Sequence, residues 1–165
     1  MIEIRSADYK DINLIQKLAR EIWFAHYTSI LSITQIEYML NWMYSTKTIE
    51  EELQNGAIWE IAALDSEPVG FIAFLPDKDA IHLKKLYFKP EVHGKGFGQE
   101  ALAHVINCAR TLQIPKVVLS VNKKNEKAIK AYEKAGFTRT KSKVDHIGNG
   151  YVMDDYEYTY IVPRD

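Results

Sequence analysis

An α/β domain with a mixed central sheet of about six to seven strands flanked by helices is the fold this sequence predicts. Two changes of hydrophobic period carry that prediction. Apolar residues recur at helical spacing from Ile12 to Tyr44, then at strand spacing between Ala57 and Phe88. Beyond Phe88, helix-like and strand-like stretches alternate, as expected for a sheet with helices packed on it. No repeat, low-complexity tract or Pro/Gly linker interrupts the 165 residues, so one domain spanning 1–165 is expected.

The elements follow in order. Ile2, Ile4 and Ala7 precede a helix start at Asp8, whose side chain is suited to capping free amides. Ile12, Ile15, Leu18, Ala19, Ile22 and Trp23 then mark one helix face. A second helix is expected over 33–44, and Thr48-Ile49-Glu50-Glu51 opens a third with a capping-box pattern. Ala57–Leu64 and Val69–Leu75 read as strands joined by the turn Asp65-Ser66-Glu67-Pro68. Ala80–Phe88 reads as a further strand that stops at Lys89-Pro90. Leu102, Val105, Ile106, Ala109 and Leu112 mark an amphipathic helix, and Pro115 separates it from the strand Lys116–Val121. Asn125 is placed to cap a helix that runs through Tyr132 to Ala135, with Gly136 as its stop. Strands near Phe137–Val144 and Tyr151–Val162 finish the chain, joined through Gly148-Asn149-Gly150.

Composition narrows the function classes. A net charge of −1 gives no general basic field for nucleic acid. No apolar run approaches the ~18 residues of a membrane helix, and the N-terminus lacks a signal-peptide pattern. A cytoplasmic location is therefore expected. The lone cysteine, Cys108, sits in an apolar helical pattern and reads as a buried thiol. The five histidines are scattered, which offers no metal site.

The strongest chemical signal is the loop His93-Gly94-Lys95-Gly96-Phe97-Gly98, between a strand and a helix start. Helix N-termini present unpaired amides and partial positive charge, and glycines let backbone approach a pyrophosphate. Lys95 adds a charge. Three readings compete at this point. Gly96-x-Gly98-x-x-Ala101 also satisfies a dinucleotide fingerprint, but no acid follows at the end of the next strand, about 20 positions on. A structural glycine turn is the third reading.

The surroundings add a resemblance. Leu86-Tyr87-Phe88-Lys89-Pro90-Glu91-Val92 followed by the loop resembles the strand, proline and [Gln/Arg]-x-x-Gly-x-Gly/Ala segment of the GNAT superfamily of acyl-CoA-dependent N-acyltransferases. Downstream, Asn125, Ala128, Tyr132, Gly136 and Phe137 are similar to that family's Asn-x-x-Ala-x-x-x-Tyr-x-x-x-Gly-Phe block. The resemblance implies a single GNAT-like domain that uses acetyl-CoA to acetylate a primary amine. It implies backbone contacts from Leu86, Tyr87 and Phe88 to the pantetheine arm. His93, Gly94, Lys95, Gly96, Phe97, Gly98 and Gln99 would cradle the pyrophosphate, and Asn125 would contact the cofactor arm. Tyr132 would lie near the thioester sulfur as the acid. His93 departs from the family's usual Gln or Arg, at a position that mainly shapes the loop.

An amine attacks a thioester only when uncharged, and its pKa near ~10 requires a base. His82 stands on the same strand face as Leu86 and Phe88 and matches a position where some members carry a glutamate base. Histidine titrates near ~6.5, which suits the task. Glu60 and Asp155 are weaker candidates. The acceptor is expected to be a small-molecule or peptide amine, with no nucleic acid or membrane partner. Trp23, Tyr27, Tyr38, Trp42 and Tyr44, with Tyr151, Asp154, Asp155, Tyr156 and Glu157, supply aromatics and carboxylates that suit a cationic amine. The chain also resembles the polyamine (spermidine) N-acetyltransferase subgroup. The tyrosine-rich final strand is a candidate for pairing across a homodimer. The rival readings are a non-catalytic acyl-CoA sensor of the same fold and a nicotinamide oxidoreductase.

Overall fold

The changes of period become real changes of backbone in the computed structural model, which describes residues 1–164. In chain order the elements are β1 (Glu3–Ser6), α1 (Ile12–His26), α2 (Ile33–Met43), α3 (Thr46–Gln54), β2 (Ile58–Leu64) and β3 (Glu67–Pro76). They continue with β4 (Ile81–Phe88), α4 (Phe97–Thr111), β5 (Lys116–Asn122), α5 (Glu126–Lys134), β6 (Thr138–Gly148) and β7 (Tyr151–Ile161). The seven strands form one sheet in the order β1-β2-β3-β4-β5-β7-β6. It is mixed: β4 and β5 are parallel, and β1–β2, β2–β3, β5–β7 and β7–β6 are antiparallel.

Local chemistry sets most boundaries. Asp8 accepts from Lys10 N, and the Asp11 carboxylate reaches back to Asp8 N in a capping box before α1. Ser32 caps α2 by accepting from Gln35 N. The third helix starts earlier than expected. Ser45 caps it by accepting from Thr48 N, so Thr48 lies inside the first turn, and its hydroxyl donates to the Trp42 carbonyl. The β2–β3 turn is shorter than expected. Asp65 (φ 50°) and Ser66 (φ 69°) make a two-residue hairpin loop whose twist suits the strands, leaving Glu67 and Pro68 in β3. Asn125 caps α5 and Gly136 (φ 98°) ends it. β1 was not expected. Its four residues are too few to show a period and are held by pairing with β2, Ile4 opposite Ala62.

The chain divides into two compact units: Met1–Leu75 with Lys85–Gly98, and Pro76–Lys84 with the residues from Gln99 onward. In the first, α1, α2 and α3 bury Ile15, Ile22, Trp23, Ile36 and Ile49, and the strands bury Trp59, Ile61, Phe71 and Ile72. Gly70 is required there, because a Cβ would lie 2.4 Å from the Tyr87 carbonyl oxygen and 2.6 Å from the Phe88 ring. Lys85 is a buried cation in the same unit. Its ammonium lies 5.3 Å and 5.1 Å from the ring centres of Tyr44 and Trp59, and 4.0 Å from Glu52. In the second unit, Ala101, Leu102, Val105 and Ala109 of α4 are buried, as are Val117 and Leu119 of β5. Cys108 is part-exposed rather than buried, with Sγ 3.9 Å from His104 Nε2. The final strand is not an edge: β7 lies between β5 and β6, so both its sides are already paired. Pairing of that strand across a dimer is thereby corrected.

Candidate active site

In the first unit, the loop is built from anchors at its ends and open backbone in its middle. A 3-10 turn at Pro90–Val92 follows β4, with proline where its missing N–H is not needed. Val92 and Phe97 are buried, and Phe97 packs on Phe88 at 6.3 Å between ring centres. Between these anchors His93 donates from Nε2 to the Phe88 carbonyl at 2.8 Å, a bond that closes the loop on its own strand. Gly94 (φ +79°) and Gly96 (φ +84°) hold a left-handed backbone that favours glycine, and a Cβ at 94, 96 or 98 would meet nothing within 4 Å. Gly94, Lys95 and Gly96 are exposed. Open glycine backbone, the start of α4 at Phe97 and the Lys95 ammonium form a donor set that fits a pyrophosphate.

The Phe88 carbonyl accepts from His93. The Gln99 side chain donates to the Ala131 carbonyl on α5 at 2.9 Å. Its backbone amide is still in the first turn of α4.

In the second unit, Asn125 is 5% exposed, and Oδ1 accepts from Ala128 N at 3.3 Å as the α5 cap. Tyr132 is part-exposed on α5, its ring 6.0 Å from Phe137. The next residue along, Glu133, accepts from the Tyr158 hydroxyl at 2.9 Å. Tyr158 is fully buried, and its hydroxyl accepts in turn from Arg139 Nη2 at 3.2 Å. The Arg139 guanidinium carbon lies over the Tyr156 ring, 3.7 Å from its centre. This chain of contacts fixes α5, and with it Tyr132, against β6 and β7.

His82, on β4, is part-exposed and pairs with Asp77 at 2.8 Å. The other Asp77 oxygen accepts from Asp79 N at 2.8 Å and Ala80 N at 2.9 Å. These amides, then His82, hold the Asp77 carboxyl down to about 2. Nothing in the sequence alone singles out Asp77 for a role at the site. Its only signal was the turn-forming run Asp77-Lys78-Asp79 just upstream of His82. Asp155 is 3% exposed, and burial pushes its carboxyl up to about 6, with Lys143 opposing and Asp145 adding to the rise. Glu60 is buried on β2 in the first unit.

The residues named for the acceptor mostly have occupations of their own. Trp23, Tyr27 and Tyr44 are core residues. The Tyr27 hydroxyl lies 3.1 Å from that of Tyr87, and Tyr44 packs edge-on to Trp23, Trp59 and Phe71. Burial raises the Tyr44 hydroxyl well above its usual range, and Trp23 partly offsets this, although neither polar atom completes a hydrogen bond. Asp154 is paired with Lys123 at 2.6 Å, and Tyr156 already faces two cations, Lys123 and Arg139. Trp42 is 47% exposed, and Tyr38 and Tyr151 are part-exposed.

Comparison with known proteins gives a consistent family pattern. The profile of the acetyltransferase (GNAT) family matches residues 15–137. A spermidine N(1)-acetyltransferase of Thermoplasma acidophilum is 30% identical over 158 residues, covering 93% of this chain and 96% of that protein. The peptidyl-lysine N-acetyltransferase YjaB of Salmonella typhimurium is 30% identical over 106 residues, covering 64% and 67%. Among solved structures, the PaiA N-acetyltransferase of Thermoplasma acidophilum in complex with coenzyme A superposes with a TM-score of 0.82 at 26% identity, covering 98% of this chain and 99% of that one.

Proposed function

The chain belongs to the acetyltransferase (GNAT) family, and from that membership we propose how it moves an acetyl group from acetyl-CoA to an amine, and to which amine. Bound acetyl-CoA supplies an activated thioester carbonyl. Gly94, Lys95, Gly96, Phe97, Gly98 and Gln99 hold the pyrophosphate through backbone amides, with His93 keeping the loop closed. Leu86, Tyr87 and Phe88 align the pantetheine arm along β4, and Asn125 contacts it from the cap of α5. Tyr132 gives its O–H proton to the departing thiolate, a role open to a group that is neutral at pH 7. His82 accepts the proton that the attacking amine must lose. The observation that carries this reading is the loop itself: two left-handed glycines with open space where side chains would be, at the start of α4.

The acceptor we infer is a polyamine. The supporting fact is the spermidine N(1)-acetyltransferase relative, which aligns over nearly the whole chain. The exposed Trp42 and the part-exposed Tyr38 and Tyr151 supply aromatic faces of the kind that attract ammonium groups. A lysine side chain is the second reading, supported by the peptidyl-lysine N-acetyltransferase relative over a shorter stretch. The same proposal takes residues 1–165 as one catalytic domain at work in the cytoplasm. A homodimer formed by strand pairing would use an edge strand, β1 or β6, in place of β7.

The test is release of free thiol from acetyl-CoA with spermidine, spermine, lysine-containing peptides and small monoamines as acceptors. Turnover with polyamines well above that with peptides is expected. Preference for peptides overturns the acceptor. Absence of turnover with every amine, beside tight coenzyme A binding, favours the sensor reading.

A further inference from the structure

We propose that Asp77 is a positioning residue: it locks the His82 imidazole in one tautomer, with Nε2 protonated and the Nδ1 lone pair presented as the base. The proposal rests on acetyl transfer to an amine and adds a residue to it.

The geometry leaves little choice of proton position. Asp77 Oδ2 lies 2.8 Å from His82 Nε2, and Oδ1 accepts from the amides of Asp79 and Ala80. A carboxylate held in this way is ionised throughout the neutral range and only accepts, so Nε2 must carry the hydrogen. Nδ1 hydrogen-bonds to no described residue and keeps its lone pair. The turn also fixes the carboxylate itself: Asp77 N donates to the Ala80 carbonyl at 2.9 Å while Ala80 N donates to Asp77 Oδ1, so hydrogen bonds run both ways across it. Asp77 and His82 therefore sit on opposite sides of one short turn that leads into β4. A carboxylate that orients a histidine base and steadies the imidazolium formed during turnover is a recurring solution in catalysis.

Other charges near the pair are few. Lys78 and Asp79 belong to the turn, Lys84 is two positions along β4 on the same face, and Lys116 stands on the corresponding face of β5, where Val118 is the register partner of His82. None of these forms an ion pair with Asp77 or His82.

In the reaction, the acceptor ammonium gives one proton to Nδ1. The nitrogen lone pair then attacks the thioester carbonyl carbon, forming the new C–N bond as the C–S bond breaks; the thiolate takes a proton from Tyr132, and the acylated nitrogen gives its second proton back to the tyrosinate, directly or through water, which leaves a neutral amide. Asp77 neither gains nor loses a proton. It stabilises the charge that His82 acquires.

Two measurements on the full chain test this. The first is the imidazole nitrogen chemical shift of His82 in mildly alkaline solution, which needs no turnover. Wild type should show the Nε2–H form, and Asp77→Ala a mixture of both forms. An Nδ1–H ring in wild type overturns the proposal. The second is the pH profile of kcat/KM for Asp77→Asn, Asp77→Ala and His82→Gln, with thiol release by wild type as reference. His82→Gln should lose about a hundredfold in kcat and Asp77→Ala about tenfold, with KM for acetyl-CoA unchanged. Asp77→Asn keeps an acceptor but removes the charge, so its acidic limb should move to lower pH. A merely structural Asp77 would change stability and leave that limb in place. Unchanged profiles in both Asp77 variants, beside normal wild-type turnover, overturn the positioning role and leave acetyl transfer standing. Full activity in His82→Gln likewise overturns it, with Tyr132 still available as the acid.

Discussion

Gly70 shows how one missing atom organises the strand that leads to the loop. Its α-hydrogen faces the Tyr87 carbonyl at a distance no Cβ tolerates, and Phe88 fills the remaining space. Gly70→Ala must displace backbone rather than a flexible tip, so it should cost about 1–3 kcal/mol, measured as a lower denaturant midpoint at unchanged slope. Asp155 makes a different prediction, about pH. Its folded-state pKa is raised to about 6 from an ordinary value near 3.8, mainly by burial. The folded protein therefore binds more protons than the unfolded chain between those values, and stability falls as pH rises through that window. Below it the carboxyl is neutral in both states and the penalty vanishes. Asp155→Asn should stabilise the protein by about 1–2 kcal/mol at pH 8 and by nothing at pH 3, read from unfolding midpoints at the two values. Equal effects at both pH values would show that the surroundings do not raise the Asp155 carboxyl above its ordinary range.

At the scale of elements, local signals were legible and cross-chain ones were not. The glycine loop, the Asn125 cap and the Gly136 stop each depend on a few consecutive residues, and each lies where the sequence indicated. The start of α3 moved because Thr48 and Ser45 both offer a capping hydroxyl, and the backbone chose Ser45. β1 escaped notice because four residues carry no readable period, and only the β2 ladder holds them. The link from Tyr158 to Glu133, and Gln99's bond to Ala131, join residues 25 and 32 positions apart, which no window of sequence reveals. Asp77 was hidden for another reason: a turn aspartate before a strand has a sufficient local explanation, and only the folded turn brings it to His82. The loop's own prediction concerns His93. Its bond to Phe88 is one ordinary hydrogen bond, worth about 0.5–1.5 kcal/mol net. His93→Ala should weaken coenzyme A binding about three- to tenfold by calorimetry, while the unfolding midpoint moves little. A large loss of stability with unchanged affinity would make His93 a fold residue rather than a loop residue.

At the scale of the whole molecule, composition said less than the motifs. A net charge of −1 argued against nucleic acid, and no described helix is long and apolar enough to cross a membrane. The resemblance to the acetyltransferase family rests on two short blocks in the right order, Leu86–Gly98 and Asn125–Phe137. The family profile then extended it back to residue 15. The acceptor was far less legible. Aromatic side chains that looked suited to a cationic amine turn out to be core residues or to face Lys85, Lys123 and Arg139 of the chain itself. Aromatic content predicts cation binding only when the faces are open, and sequence does not report which are.

The central claim is that the glycine loop holds acetyl-CoA while Tyr132 protonates its departing sulfur. It is tested most directly by Tyr132→Phe, measuring turnover by thiol release and coenzyme A affinity by calorimetry on the same preparation. The expected result is a fall in kcat of about a hundredfold or more with affinity kept within about twofold. Unchanged kcat, or parallel losses of affinity and turnover, would contradict it.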